Sequence, residues 1–187
     1  MGTYYGVGIN DYEGKVFTNG SHLKSYQNWH NMLERCYSKK YKSKYKTYEN
    51  CVVCDDWLVF TKFKEWFDLN YVEGYCLDKD ILQSGIDLKI YSQETCIFIH
   101  PTLNRMFSKK PSPKNGNPCG VEVSGGKYRA RLKANGKYLS LGTFETVEDA
   151  RSVYLKHKYA HMVSEICRYE NRPMVVQALV AKIENFI

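Results

Sequence analysis

Apolar side chains recur at helical spacing in two stretches of the N-terminal half of the chain. Residues 23–37 and 57–67 each place apolar residues three or four positions apart, the pattern of an amphipathic helix that packs one face into a core. These apolar positions are Tyr26, Trp29, Met32, Leu33 and Cys36 in the first stretch, and Trp57, Phe60, Phe63 and Phe67 in the second. We expect both stripes to form core, and we expect the segment 38–48, rich in lysine and tyrosine, to be a loop.

A different pattern begins near residue 75. Residues 75–82 and 96–99 predict short strands around a polar loop at 83–89, and Pro101 predicts the start of a helix to about residue 107, because proline suits the first helical turn. Residues 108–118 contain three prolines, three lysines and a glycine. They predict a linker between a first domain, 1–107, and a second domain, 119–187.

The second domain alternates apolar and polar positions with the period of a strand. Residues 120–123, 127–133 and 138–141 predict three strands, joined at Gly125-Gly126 and at Asn135-Gly136, dipeptides that suit tight hairpin turns. Thr146 predicts the cap of a long helix that runs to about residue 168, and residues 175–187 predict a last short helix. The expected fold class is α+β, ending in a three-stranded antiparallel sheet backed by one long helix.

Composition narrows the class of protein. The 187 residues include 27 Lys and Arg against 20 Asp and Glu, a net charge of +7, and no apolar run near the roughly 20 residues that a membrane helix needs. The N-terminus shows no charged-then-apolar signal pattern, and the seven cysteines are an odd number without disulfide-scaffold spacing. We therefore expect an intracellular, cytoplasmic protein with reduced thiols and no membrane partner.

Four cations alternate along the second predicted strand of the C-terminal domain. Lys127, Arg129, Arg131 and Lys133 share one face, whereas Tyr128, Ala130 and Leu132 face the helix. Lys137, with Tyr138 as a further candidate, follows at the edge of the next strand. Such a ribbon matches the width of the DNA major groove, and the arginine fork pairs with guanine or with phosphate. The alternative is that these cations only keep an exposed sheet soluble.

The C-terminal motifs also carry a family resemblance. Gly126-Lys-Tyr-Arg-Ala-Arg-Leu132, Leu141-Gly-Thr-Phe144 and Thr146-Val-Glu-Asp-Ala150 together resemble the apetala/ethylene-response-factor (ERF) DNA-binding domain over about fifty residues. The resemblance implies that three strands lie in the major groove of double-stranded DNA. It implies base or phosphate contacts for Lys127, Arg129, Arg131, Lys133 and Lys137, and structural roles for Gly142, Phe144, Ala150 and Tyr154. Ser140 stands where an aromatic residue is common in that family.

Two carboxylates in the first domain suggest metal chemistry. In Leu77-Asp-Lys-Asp-Ile81, Asp78 and Asp80 are two positions apart, so on a strand they point to the same face, and Mg²⁺ prefers such oxygen ligands. Asn104 and His100 follow near the predicted helix start. The alternative is that the two carboxylates balance Lys79 and Lys89 at the surface.

The same region resembles bacteriophage HNH-type endonucleases, some of them homing enzymes. The resemblance rests on Leu77-Asp-Lys-Asp-Ile81, Tyr91-Ser92, Glu94-Thr-Cys96 and Leu103-Asn104, and proteins of this group often carry an ERF-type module behind the nuclease. It implies a ββα-metal finger, a Mg²⁺ or other divalent ion held by Asp78, Asp80 and Asn104, and catalytic roles for these residues and His100. No histidine adjoins Asp78, however, so either another group such as His100 acts as the base or catalysis is weakened or lost.

Three further alternatives remain. A catalytically degenerate relative would be a DNA-binding or host-interaction protein that counters host defences, with a host protein as its partner; stacking on the tyrosines of 37–48 would instead favour RNA. Cys51 and Cys54, with Cys76 and Cys96, have spacing that a structural zinc ion accepts. There is no second Cys-x-x-Cys pair, so we expect buried thiols at Cys76 and Cys96 and no zinc.

Overall fold

The structure is a computed structural model that describes residues 2–107, 116–134 and 136–184. The chain forms two compact units, Met1–Ile99 and His100–Ile187, and both helices and strands are present, as the sequence predicts. None of the helices in the described ranges is long and apolar enough to cross a membrane. Residues 108–115, most of the predicted linker, lie outside the described residues.

The first unit combines helices with three small sheets. Its helices are α1 (Lys24–Tyr37), α2 (Lys39–Lys44), α3 (Asp55–Leu58) and α4 (Phe60–Asn70), and a 3-10 turn covers Lys46–Tyr48. Its strands are β1 (Phe17–Thr18), β2 (Ser21–His22), β3 (Cys51–Val53), β4 (Cys76–Asp78), β5 (Lys89–Tyr91) and β6 (Ile97–Ile99). Strands β1 and β2 pair antiparallel, β3 and β5 parallel, and β4 and β6 antiparallel.

The two apolar stripes predicted from the sequence form the core of this unit. Trp29 on α1 and Phe60 and Phe63 on α4 are fully buried in one cluster. The indole Nε1 of Trp29 donates a hydrogen bond to the backbone oxygen of Trp57 at 2.8 Å, which satisfies the one polar atom of a buried ring. The prediction that both stripes are core is confirmed.

The second predicted helix is broken where the sequence pattern continues. Helix α3 ends at Leu58, Val59 is extended, and α4 begins at Phe60. The break coincides with Ile9, whose amide donates to Leu58 O at 2.8 Å and whose carbonyl accepts from Phe60 N at 2.9 Å. These backbone hydrogen bonds to Ile9 replace hydrogen bonds within the helix, so the prediction of one continuous helix at 57–67 is wrong.

The prediction of a loop at 38–48 is also wrong, because a short helix and a 3-10 turn occupy this segment. Ser38 caps α2, and its Oγ accepts a hydrogen bond from Tyr41 N at 3.2 Å. The Tyr41 ring lies 4.7 Å from the ring of Tyr45 and 5.5 Å from that of Tyr48. These tyrosines therefore pack on one another within the segment.

The second unit is built on a three-stranded antiparallel sheet next to a long helix. Its elements are α5 (Pro101–Phe107), β7 (Val121–Ser124), β8 (Lys127–Ala134), β9 (Lys137–Phe144), α6 (Val147–Ile166), a 3-10 turn at Cys167–Tyr169, and α7 (Pro173–Glu184). The strand order is β7-β8-β9. Thr146 caps α6 as predicted, since its side chain accepts from Asp149 N at 3.1 Å.

A compact apolar cluster joins this sheet to α6. Val121, Ala130 and Leu132 from the strands are buried with Ala150 and Tyr154 of the helix. Gly125 and Gly126 both have positive φ, as the predicted hairpin between β7 and β8 requires. In the second hairpin Gly136 has positive φ, while Asn135 lies outside the described residues.

Candidate nucleic-acid interface

Strand β8 separates an apolar face from a basic one. Ala130 and Leu132 are buried against α6, whereas Lys127 and Lys133 are exposed and Arg129 is half-buried. Strand alternation is the cause, because successive side chains point to opposite sides of a sheet. The predicted row of cations on one side of the strand is present, and its members have different partners.

Arg131 is the most constrained cation of the row. Its Nη1 donates to both carboxylate oxygens of Glu122, at 3.0 Å to Oε1 and 2.8 Å to Oε2, and its guanidinium lies 4.4 Å from the centre of the Tyr138 ring. In the antiparallel register Glu122 is directly opposite Arg129, so Arg131 is its diagonal neighbour on the same face. Three strands therefore contribute one side chain each to this cluster.

The other cations of the face are held less tightly. Lys127 pairs with Glu145, and Arg129 Nη2 donates to Ser124 Oγ at 2.8 Å. Lys133 Nζ lies 5.5 Å from the Tyr138 ring centre. Neither Lys133 nor Lys137 forms an ion pair with any residue in the described ranges, so both are available to an external anion.

A bulge interrupts the sheet in the middle of this face. Ala130 pairs with Gly142 and Arg131 with Ser140, so Leu141 is an extra residue on β9. Gly142 has a φ of +128°, which an L side chain rarely adopts. A bulge bends the strand and increases its twist, and bulges often lie beside functional sites.

Sequence reasoning missed Glu122 as a part of this face. Tyr138 is 60% exposed although its ring contacts Arg131 and Lys133. The signal for Glu122 was present in the sequence, because a two-residue Gly-Gly turn fixes Ser124 opposite Lys127 and therefore Glu122 opposite Arg129. Tyr138 is directly opposite Lys133, on the hairpin side of the bulge, and therefore lies on the basic face.

In the first unit, Asp78 and Asp80 do not share a strand face. Strand β4 ends at Asp78, and the chain then turns, with Asp78 Oδ1 accepting from the amides of Asp80 at 2.8 Å and Ile81 at 2.9 Å. This is the local bonding by which aspartate favours turns over strands. The prediction that residues 75–82 form one strand carrying both carboxylates is wrong for this reason.

Asp80 is paired with a buried lysine. Lys79 Nζ donates to Asp80 Oδ1 at 2.7 Å, lies 4.9 Å from the Tyr48 ring centre, and belongs to a side chain that is only 4% exposed. Burial lowers the pKa of Lys79, but the hydrogen bond and charge of Asp80 outweigh it, so the pKa is raised above its ordinary value. The alternative in which Lys79 balances a carboxylate thus describes Asp80 well, although Lys79 itself is buried.

His100 and Asn104 belong to the second unit. His100 Nδ1 lies 3.5 Å from Oε2 of the buried Glu165, and the His100 amide donates to the Tyr169 hydroxyl at 2.7 Å. The Asn104 amide donates to His100 O at 3.1 Å, within the first turn of α5. His100 is therefore anchored by α6 and the following 3-10 turn.

Metal ligands are not gathered within the described residues. No group of three or more His, Cys, Asp or Glu side chains in these ranges is arranged to hold an ion. A magnesium ion at Asp78 and Asp80 would have to compete with two backbone amides and with Lys79. The donor chemistry of this segment thus fits a turn and an ion pair better than the implied Mg²⁺ site.

The cysteines differ widely in accessibility. Cys51 and Cys96 are buried, Cys54 is half-buried and Cys76 is exposed, so the expectation of a buried thiol is wrong for Cys76. All seven cysteines are free thiols. Burial raises the pKa of Cys36 to about 12 and also raises the pKa values of Cys51 and Cys96.

These differences predict an order of thiol modification. Because the thiolate is the nucleophile, we expect N-ethylmaleimide at pH 7.5 to label the exposed Cys76 and Cys167 first, and Cys36, Cys51 and Cys96 only after denaturation. Mass spectrometry of peptides from the labelled protein measures the order. Protection of Cys76 that a chelator removes would contradict it and would restore the zinc alternative.

Comparisons with known proteins add no assignment. No protein-family model, no curated protein and no solved structure matches the chain. The two family resemblances therefore rest on the sequence motifs alone.

Proposed function

We propose that this chain binds double-stranded DNA and that the exposed face of β7, β8 and β9 enters the major groove. The observation that carries the proposal is the row of cations on β8, with an apolar core on the opposite side of the same sheet. The proposed contacts with DNA are Lys127, Arg129, Arg131 and Lys133 on this face, with Lys137 at the end of the adjoining hairpin. Such a role suits a cytoplasmic protein.

The size of the sheet supports a groove-binding mode. Neighbouring strands are about 4.8 Å apart, so three strands span about 10 Å between the outer backbones, close to the major-groove width of about 12 Å. The hairpin turns at Gly125-Gly126 and near Gly136 keep the strands short enough to lie along the groove. The bulge at Leu141 adds twist to the pair of strands β8 and β9.

The charges of the face support DNA over a neutral partner. Four cations of β8 stand against two carboxylates, Glu122 and Glu145, so the face retains a positive excess. Lys133 and Lys137 carry no carboxylate partner in the described part of the chain, and Lys133 lies next to the exposed Tyr138 ring. Ammonium groups that are not already paired bind phosphates without first losing an internal ion pair.

The proposal is tested by measuring the affinity of the purified full chain for duplex DNA against salt concentration. We expect binding that weakens steeply, with a log–log slope of roughly −3 to −5, because each phosphate contact contributes about −0.9. Fluorescence anisotropy with a labelled 20-base-pair duplex provides the measurement, and a single strand of the same sequence is the control. Affinity that does not change with salt, or equal affinity for the single strand, would contradict groove binding.

As a second candidate function we propose a metal-dependent DNA endonuclease of the HNH type, of phage origin, in which the sheet selects the site. The observation in its favour is the antiparallel pairing of β4 with β6, with helix α5 following in the chain order of the resembled finger. Asp78, Asp80, His100 and Asn104 would be its catalytic residues. The catalytically degenerate DNA-binding or host-interaction protein is the alternative.

Cleavage distinguishes these two forms of the proposal. If the endonuclease is active, supercoiled DNA with Mg²⁺ is cut by the wild type, not by Asp80→Ala, and normally by the control Asp87→Ala, whose carboxylate is exposed in the neighbouring loop. Agarose gels that separate supercoiled, nicked and linear DNA report the result. If the wild type leaves DNA intact at every metal concentration while binding persists, the degenerate form is correct.

A further inference from the structure

Glu122 is out of place on a surface that only binds phosphates. A carboxylate in the middle of a basic face repels the DNA backbone and neutralises one of the cations available to it. Glu122 nevertheless lies directly opposite Arg129 and holds Arg131 through both of its oxygens. Because Glu122 weakens phosphate binding at the proposed surface, we looked for a different role for its carboxylate in DNA recognition.

The Glu122–Arg131 pair is held before any ligand arrives. Arg131 is 31% exposed and Glu122 is 49% exposed, so both remain reachable from solvent, and the Tyr138 ring at 4.4 Å holds the guanidinium from a third direction. Two side chains fixed in one geometry have already lost the rotational freedom that binding would otherwise remove. The pair therefore offers an ordered set of hydrogen-bonding groups.

This set contains adjacent donors and acceptors. Only Nη1 of Arg131 is bound to Glu122, and the guanidinium carries further N–H groups on the same planar fork. Each carboxylate oxygen of Glu122 accepts one bond from Arg131 and has capacity for another. Side by side, the pair presents two or more donors next to an acceptor.

A G·C base pair has the complementary order in the major groove. Guanine offers two neighbouring acceptors, N7 and O6, and cytosine offers the N4 amine as a donor beside them. An A·T pair places its donor between two acceptors, so it cannot satisfy an arginine fork and a neighbouring carboxylate together. We propose that Glu122 is a specificity-determining residue which, together with Arg131, selects a G·C base pair; this inference rests on the proposed DNA-binding function.

The ion pair between Lys127 and Glu145 is the natural control. Lys127 is 52% exposed and Glu145 75% exposed, and the pair has no aromatic ring against it among the contacts of the described residues. An ammonium group is a point charge on a flexible stem, without the fixed fork of arginine. Removing Glu145 changes the charge of the same sheet by the same amount as removing Glu122, but removes no ordered base-reading group.

The experiment compares Glu122→Ala with Glu145→Ala in the full chain. Duplexes bound by the wild type are selected from a randomised pool, and affinities are then measured for the selected duplex and for versions in which each G·C pair is replaced by A·T. We expect Glu122→Ala to lose about 5- to 100-fold of the discrimination at one position, while Glu145→Ala changes all affinities by a common factor. Circular dichroism confirms that both variants are folded.

The outcomes separate this inference from the proposed function. If Glu122→Ala strengthens binding to every duplex by one factor, as Glu145→Ala does, Glu122 acts only as a charge and the inference is overturned. Wild-type protein that binds duplex DNA without base preference also overturns the inference but leaves DNA binding intact. Wild-type protein that binds no duplex overturns the proposed function and the inference together.

Discussion

Replacing Gly120 by alanine is expected to destabilise the sheet unit by about 2–6 kcal/mol. Gly120 has a φ of +89°, and a Cβ atom on its backbone would overlap the ring of Tyr154, which is buried between the sheet and α6. A left-handed backbone at a non-glycine residue costs about 1–3 kcal/mol, and overpacking a core adds a similar amount. The strain also reaches β8, because Gly120 O accepts from Arg131 N at 2.8 Å.

Gly126→Ala is the matched control for this variant. Gly126 has a similar φ of +77°, but no atom lies within 4 Å of its ideal Cβ position, so only the backbone cost of about 1 kcal/mol remains. Urea unfolding followed by circular dichroism measures both free energies of unfolding. Equal losses in the two variants would show that the Tyr154 ring moves aside without cost.

The second large effect is expected from the double variant Arg129→Ala, Arg131→Ala. We expect the specific DNA complex to weaken by roughly 2–6 kcal/mol, because each base-reading arginine contributes about 1–3 kcal/mol. Loss of Arg131 also leaves the charge of Glu122 without its partner on the face that approaches DNA. Titration of the selected duplex in the presence of competitor DNA measures the loss.

Two further double variants show whether the position of the lost charges matters. Arg105→Ala with Lys156→Ala removes the same charge from exposed positions on α5 and α6, and we expect it to change affinity by less than about 1 kcal/mol. Lys133→Ala with Lys137→Ala is expected to lower the salt slope by about 2 while leaving base preference unchanged. If the α5 and α6 variant weakens binding as much as the arginine variant, the DNA-binding face lies elsewhere.

Asp78 and Asp80 show that two carboxylates with suitable spacing in the sequence need not form a metal site in the folded chain. Their spacing is correct for a shared face only while the strand continues, and β4 ends at Asp78 because that side chain bonds to the two following turn amides. Aspartate is well suited to such turns, so the spacing alone was compatible with both structures. Asp80 is instead paired with Lys79, because the buried ammonium group of Lys79 lies next to the carboxylate of Asp80.

By itself the sequence determined the elements whose causes are local. The apolar spacing in residues 23–37 predicted α1, and Thr146 predicted the start of α6. The Gly125-Gly126 turn fixed the register that places Glu122 opposite Arg129. Only the tertiary structure decided where distant segments meet: Ile9 breaks the helix at Val59, and β3 pairs in parallel with β5. Helical spacing, caps and tight turns act within a few neighbouring residues, whereas these pairings depend on backbone groups that are far apart in the chain.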